Sequence, residues 1–320
     1  MMSWRKLHDR PLCLYRTKED FIMTGRRPST KGSEFPVDDS EYADDTAVLF
    51  DSRSDTVTYS PLLVVHFRCF AIEINVGDTQ SPEKPSKTEI LFVSKSPKSY
   101  VDPTTYDNVD LSPVKLDTHT FFPVVDQFCY LGSFISRDCK DNIDVANRIK
   151  KAGNAFGSLK LSVFSSRAIT DEAKSVVYKS LILPILLYGA ESWCLSEYLL
   201  RQLRNFHHSC LRAMCRINRS HVYLHRISTE SLFTRLNIKP IESFVFNRQL
   251  SWLGHVSRMP FDRLPKKMLS CWVNNRRLKG CPEFTYGRGI KKALKWFNID
   301  KINWFDFGND RGKWRSMIKC

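Results

Sequence analysis

Glu41-Tyr42-Ala43-Asp44-Asp45-Thr46-Ala47-Val48-Leu49-Phe50 runs from a polar segment through two adjacent carboxylates into an apolar tail. That order predicts two short strands around a tight turn, with the aspartates at its tip. Adjacent aspartates at a hairpin tip can both lean toward one point, and the apolar strand behind them fixes the tip in a sheet. Oxygen-rich carboxylates are what a hard ion such as Mg²⁺ prefers. Four such residues also arise by chance as a solvated turn, so the rest of the chain has to decide between the readings.

Upstream, residues 1–34 are polar, basic and aperiodic and read as poorly ordered. Downstream, residues 62–75 mix helical and strand periods and leave the choice open. A polar loop with Pro82 and Pro85 follows, then Ile90-Leu91-Phe92-Val93, which reads as a buried strand, then a Pro- and Asp-rich connection over 95–120. From about residue 142 the pattern turns helical. Ala146, Ile149, Ala152, Phe156, Leu159 and Val163 recur at spacings of three and four, one apolar face of an amphipathic helix. Thr170 before Asp171-Glu172 is a helix start. In the next helix Leu199, Leu203, Phe206, Cys210, Met214 and Ile217 form a core stripe, and Arg201, Arg204, His208, Arg212, Arg216 and Arg219 a basic one. Pro240 opens a further helix with Val245, Trp252 and Val256, and basic clusters alternate with Trp296, Trp304 and Trp314 toward the end. The fold class predicted is α+β: a small sheet region over 35–140, then a mostly helical region over 141–320.

Composition narrows the partners. Of 320 residues 42% are hydrophobic and 26% charged, as in globular proteins. The apolar stretch Leu181–Tyr188 is broken by Pro184 and too short to span a bilayer, and Met1–Arg16 lacks an apolar signal core. An intracellular protein, cytoplasmic or nuclear and not secreted, is expected, with its ten cysteines reduced. Cys210, Cys215, His221 and His225 have a zinc-like order, but the five-residue step between the cysteines fits structural zinc sites poorly. The charge is uneven. Residues 1–140 carry 17 Lys+Arg against 21 Asp+Glu, net −4; residues 141–320 carry 32 against 13, net +19, together the +15 of the whole. A surplus that large on one half favours a phosphate backbone as partner over mere solubility.

The hairpin stretch resembles the metal-binding hairpin of the reverse-transcriptase palm in non-LTR (LINE-type) retrotransposons. Further segments match that family in order. Ile74-Asn75 and Ser86-Lys87-Thr88-Glu89-Ile90-Leu91 resemble the next palm motif, here with Gly77–Pro85 inserted between the two halves. Phe128-Cys129-Tyr130-Leu131-Gly132-Ser133-Phe134-Ile135 resembles the segment between palm and thumb. Arg148-Ile149-Lys150, Leu187-Tyr188-Gly189-Ala190-Glu191-Ser192-Trp193, Phe206-His207-His208, Ser251–Met259 and Asp310–Arg315 are similar to the thumb and C-terminal region. Gly280-Cys281-Pro282 departs from the family's basic Gly-Arg-Pro stretch.

The resemblance implies an RNA-directed DNA polymerase acting on an RNA template and a DNA primer by two-metal nucleotidyl transfer. Asp44 and Asp45 would be the catalytic Mg²⁺ ligands and Lys87 the contact to nucleotide phosphate. Tyr130, Gly132, Arg201, Arg204, Arg212, Arg216 and Arg219 would hold primer–template. Tyr188, Trp193 and His255 read as core residues, and Gly132 as a place where backbone approaches a nucleic-acid strand. The family places another palm aspartate far upstream, in a fingers-and-palm region longer than the residues preceding Tyr42. Asp9, Asp20, Asp38 and Asp39 precede the motif, none in a convincing strand. On this reading the chain is an incomplete palm with thumb, inactive alone; the alternative is a non-catalytic nucleic-acid-binding remnant.

Overall fold

A computed structural model describes residues 14–17, 33–36, 39–42, 45–50, 52–80, 83, 85–93, 111–272, 286–301 and 303–319, the backbone alone at 14–17, 33–36, 39–41, 219, 221 and 270–272. Helices and small sheets mix in an α+β arrangement. Contacts divide the described residues into two units: those up to Lys140 with 270–272, and those of Asp141–Leu269 with 286–319.

The first unit is built from short strands. β1 (Leu14–Thr17) pairs antiparallel with β2 (Ser33–Pro36), and β12 (Cys271–Trp272) joins its other edge. β3 (Asp39–Tyr42) and β4 (Asp45–Val48) form a two-stranded antiparallel hairpin whose register runs from Asp39↔Val48 to Tyr42↔Asp45. α1 (Arg53–Arg68) starts on a reciprocal cap: Ser52 Oγ accepts from Asp55 N–H at 3.1 Å and donates to Asp55 Oδ2 at 2.8 Å. The segment 62–75 that suits both periods is therefore helical only to Arg68. Leu63 is the buried apolar residue of α1, packed by Val48, Phe50 and Phe67, while Val57, Leu62 and Val65 face outward.

β5 (Gly77–Asp78), β8 (Thr120–Phe122) and β7 (Val114–Lys115) make a three-stranded sheet; β6 (Ile90–Leu91) pairs parallel with β9 (Val124–Val125). The strand expected over 90–93 is thus two residues long. It is half-buried, and Val93 is 42% exposed. A two-residue ladder is too short to bury the whole apolar run.

β10 (Gln127–Tyr130) and β11 (Ser133–Ser136) close a tight hairpin with Tyr130↔Ser133 as its last pair. Its two loop residues, Leu131 and Gly132, both have positive φ, 48° and 81°. Two left-handed residues in a two-residue loop match the right-handed strand twist, which is why a glycine stands here.

The second unit is helical: α2 (Asn142–Leu159), a π-helical turn (Lys160–Phe164), α3 (Asp171–Val177), a second π-turn (Tyr178–Ile182), α4 (Leu183–Leu186), α5 (Glu197–Met214), α6 (Arg219–Leu224), α7 (Thr229–Leu236), α8 (Ile241–Ser257), α9 (Leu264–Ser270), α10 (Tyr286–Trp296), α11 (Trp304–Asn309) and α12 (Arg311–Met317). Thr170 caps α3 as read from sequence, its hydroxyl accepting from Ala173 N–H. One continuous apolar core runs through these helices.

Its polar pins come from the segments quoted above. α2 turns Val145, Arg148, Ala152 and Phe156 inward, and Ala146, expected on the apolar face, is exposed. The rotation brings Asp144 and Arg148 into the interior. Trp193 Nε1–H donates to Asp144 Oδ2 at 2.8 Å, and the Arg148 guanidinium lies 4.2 Å over the Tyr188 ring and 3.8 Å from Asp144 Oδ1. Gln249 Nε2–H donates to Ala190 O and Trp193 O. Trp314 Nε1–H donates to Leu250 O at 2.8 Å, and its indole lies so close to Gly254 that an added Cβ would sit 2.3 Å from Nε1. Lys266 closes the end of α8, donating to Ser257 O and Met259 O.

Candidate nucleic-acid interface

The residues singled out by sequence fall in both units. In the first, the hairpin forms as predicted, and Asp45 stands exposed at the start of β4 beside exposed Tyr42. Ala43 and Asp44 lie outside the described residues. Among the described residues β3 and β4 pair only with each other. Asp39 does fall in a strand, but at the end of β3 opposite the tip, where it faces Val48. Exposed carboxylate oxygen suits Mg²⁺ in kind. A two-metal centre needs a set of converging carboxylates, and among the described residues no three His, Cys, Asp or Glu side chains converge.

The insertion between Asn75 and Lys87 does not separate them. Asn75 Oδ1 accepts the Lys87 backbone N–H at 2.7 Å, and Ser86 Oγ donates to Asn75 O at 3.3 Å and to Thr88 O at 2.7 Å. The asparagine side chain bridges the two halves of the motif, and the Lys87 residue is left exposed. Tyr130 is half-buried and stacks on Phe128 with ring centres 6.4 Å apart. Gly132 serves the turn geometry of its own hairpin.

In the second unit the basic stripe is divided. Arg201 is exposed on α5. Arg204 is tied within the unit, 2.6 Å from Glu242 Oε1 and 3.3 Å from Glu197 Oε1, and Lys292 adds a 2.8 Å contact to Glu197 Oε2. Two cations and two carboxylates cancel there. The helix ends at Met214, and Arg216, with φ 57°, is past its C-terminus; Arg219 opens α6 and its side chain is not described. The periodicity of arginine runs on where the backbone does not, so a single helical stripe from Arg201 to Arg219 does not form.

Three cations gather at the end of α5, Lys160 and Arg216 exposed and Arg212 half-buried. A surface depression of about 360 Å³ is lined there by Lys160, Ser165, Ser209, Arg212, Arg216 and Asn218. Its lining holds three cations and no carboxylate. Lys160 comes from the π-turn after α2, outside the arginine periodicity, so no signal in the sequence pointed to it.

His207, on the opposite side of α5, is fully buried. The Tyr178 hydroxyl donates to its Nδ1 at 2.8 Å and its Nε2–H donates to Lys239 O at 3.1 Å. Burial depresses the imidazole to about 4 against the raising effect of the Lys239 carbonyl, so the ring is neutral. Burial likewise pushes the Cys210 thiol up to about 12 and raises Cys215. Both cysteines belong to the core of α5 and its C-cap. His255, read as a core histidine, is exposed beside Trp252, itself 38% exposed. No described helix is long and apolar enough to cross a membrane.

A protein of Caenorhabditis elegans named as an uncharacterized transposon-derived protein is 25% identical over 284 residues, spanning 87% of this chain and 94% of its own length. No family model matches the chain, and no solved structure matches it.

Proposed function

We propose that the chain derives from a transposable element and is the nucleic-acid-holding part of an RNA-directed DNA polymerase of the LINE type. The transposon-derived relative, alike along nearly its whole length, supports the origin. The finer reading rests on one observation above all: the Asn75–Lys87 hydrogen bond. Two segments parted by an insertion in sequence are hydrogen-bonded to each other, which supports reading them as one motif downstream of a carboxylate-bearing hairpin. In the parent enzyme Mg²⁺ at Asp44 and Asp45 would supply nucleotidyl transfer. This chain's own residues bind: Lys87 offers a cation to phosphate, and Arg201, Arg212 and Arg216 offer guanidinium groups to a backbone. A non-catalytic binding protein is the second reading, favoured by the +19 balance of residues 141–320.

The test is primer extension by the purified chain on an RNA template with Mg²⁺, beside an Asp44→Ala/Asp45→Ala control, with primer–template binding recorded in the same samples. Salt-sensitive binding without extension is the expected result. Extension abolished by the double substitution would show a complete metal site in this chain. Absence of both activities would overturn the proposal.

A further inference from the structure

We propose that Tyr223 and the basic depression at the end of α5 form one site for single-stranded nucleic acid, the depression taking backbone phosphate and the tyrosine ring stacking on a base. The inference rests on the nucleic-acid reading above and adds a strand type and an aromatic contact to it.

Tyr223 is 87% exposed and its neighbour Leu224 71% exposed. A phenol ring that open contributes almost nothing to the core of its own unit. The backbone that carries it is hydrogen-bonded on both sides. Val222 N–H donates to Asn218 O at 3.2 Å, so the helical turn carrying Tyr223 springs from a residue that lines the basic depression. Ile227 N–H donates back to Val222 O at 3.1 Å and closes the turn behind the tyrosine. A second depression, about 710 Å³, is lined by Val222, Tyr223, Leu224 and Arg226. Asn218 lines the first hollow and Val222 the second, so the hydrogen bond between them sets the two one helical turn apart along the chain.

Charge alone would have a simpler explanation, since cations near a helix C-terminus complement its dipole. That accounts for Arg212 and Arg216 but not for Lys160, which is brought in from another element. Nor does it account for the exposed ring. Phosphate beside an aromatic face is the chemistry of a nucleotide strand, and base stacking on aromatic side chains is sequence-tolerant because every base has a π-face. A single strand is the form that fits, because in a duplex the base faces are covered by neighbouring pairs and an exposed ring has nothing to stack on.

The experiment is fluorescence anisotropy of the full chain with a labelled single strand of about twelve nucleotides, titrated from low to moderate salt. Tyr223→Ala is expected to weaken binding roughly five- to hundredfold with the salt slope unchanged, and Tyr223→Phe to retain it. Lys160→Ala/Arg216→Ala is expected to lower the salt slope by about 1.4, the release of two single-strand phosphate contacts. Circular dichroism melts should be unaltered in all three. Wild-type affinity in Tyr223→Ala with a reduced slope in the lysine–arginine variant would sink the stacking site and leave the broader reading standing. No binding by any form would sink both. Tyr223-dependent binding to phosphatidylserine vesicles with none to the oligonucleotide would assign the surface to lipid and overturn the proposal.

Discussion

A single buried imidazole sets how the helical unit should respond to acid. His207 is held neutral between a phenol donor and a carbonyl acceptor, with burial depressing its protonation to about 4. In the unfolded chain it titrates near 6.5. The unfolded state therefore binds the extra proton below that pH while the native state refuses it. The stability His207 contributes is complete above pH 6.5 and is lost as pH falls toward 4, at about 1.4 kcal/mol per unit and roughly 3 kcal/mol in all. Urea melts should show His207→Gln clearly destabilised at pH 7, with the gap to wild type shrinking by that amount near pH 4. A gap constant with pH would refute the neutral, buried assignment. At this scale the sequence was partly legible. Leu199, Leu203, Cys210 and Met214 fell on the core stripe as read, but His207, Asp144 and Arg148 did not. Polar residues read as outward until their partners are known, and Trp193 and Lys239, which pair with Asp144 and His207, are distant in sequence.

At the scale of elements the arginines of α5 look alike in the sequence and differ in their surroundings. Arg204 is paired with Glu242 and Glu197, half-buried, and its charge is already answered. Arg201 is exposed. Arg204→Ala should therefore cost stability, about 1–3 kcal/mol because the buried Glu242 carboxylate loses its cation, with little change in nucleic-acid affinity. Arg201→Ala should leave the melt within about 0.5 kcal/mol of wild type and weaken binding instead. Reversal of the two phenotypes, read by thermal melts and anisotropy together, would show that the ion pairs do not hold in solution. Sequence periodicity found the helix and its basic residues; it could not find the counter-ions, which sit on α8 and at the start of α5 itself. Nor could it find the C-terminus at Met214, since no glycine or proline marks the stop and Arg216 takes the left-handed position a glycine often fills. The β3–β4 hairpin was legible because a polar segment and an apolar run flank a carboxylate-bearing turn. The segment around Leu63 was not, because Pro61 and β-branched residues obscured a helix whose outward face is itself apolar.

Across the whole molecule, the two ends of the sequence differ in charge as well as in architecture. Residues 141–320 carry +19, close to the extent of the helical unit, and a compact body so charged repels itself. Raising salt from about 0.05 M to 0.5 M shortens the Debye length to a few ångströms. The melting temperature of the helical unit should rise with it, while the near-neutral strand region responds little. A melting point that falls with salt would mean the surface pairs outweigh the repulsion. Means to observe the two separately are built into the chain. Five of its seven tryptophans, Trp193, Trp252, Trp296, Trp304 and Trp314, lie in the helical unit. Two of these indoles, Trp193 and Trp314, are almost wholly shielded and hydrogen-bonded to Asp144 and Leu250. Their emission is expected to be that of a dry environment and to shift to the red when the helices open. Intrinsic fluorescence is thus an optical readout weighted to one half of the protein, and a mismatch between it and a far-ultraviolet melt would time the loss of the other.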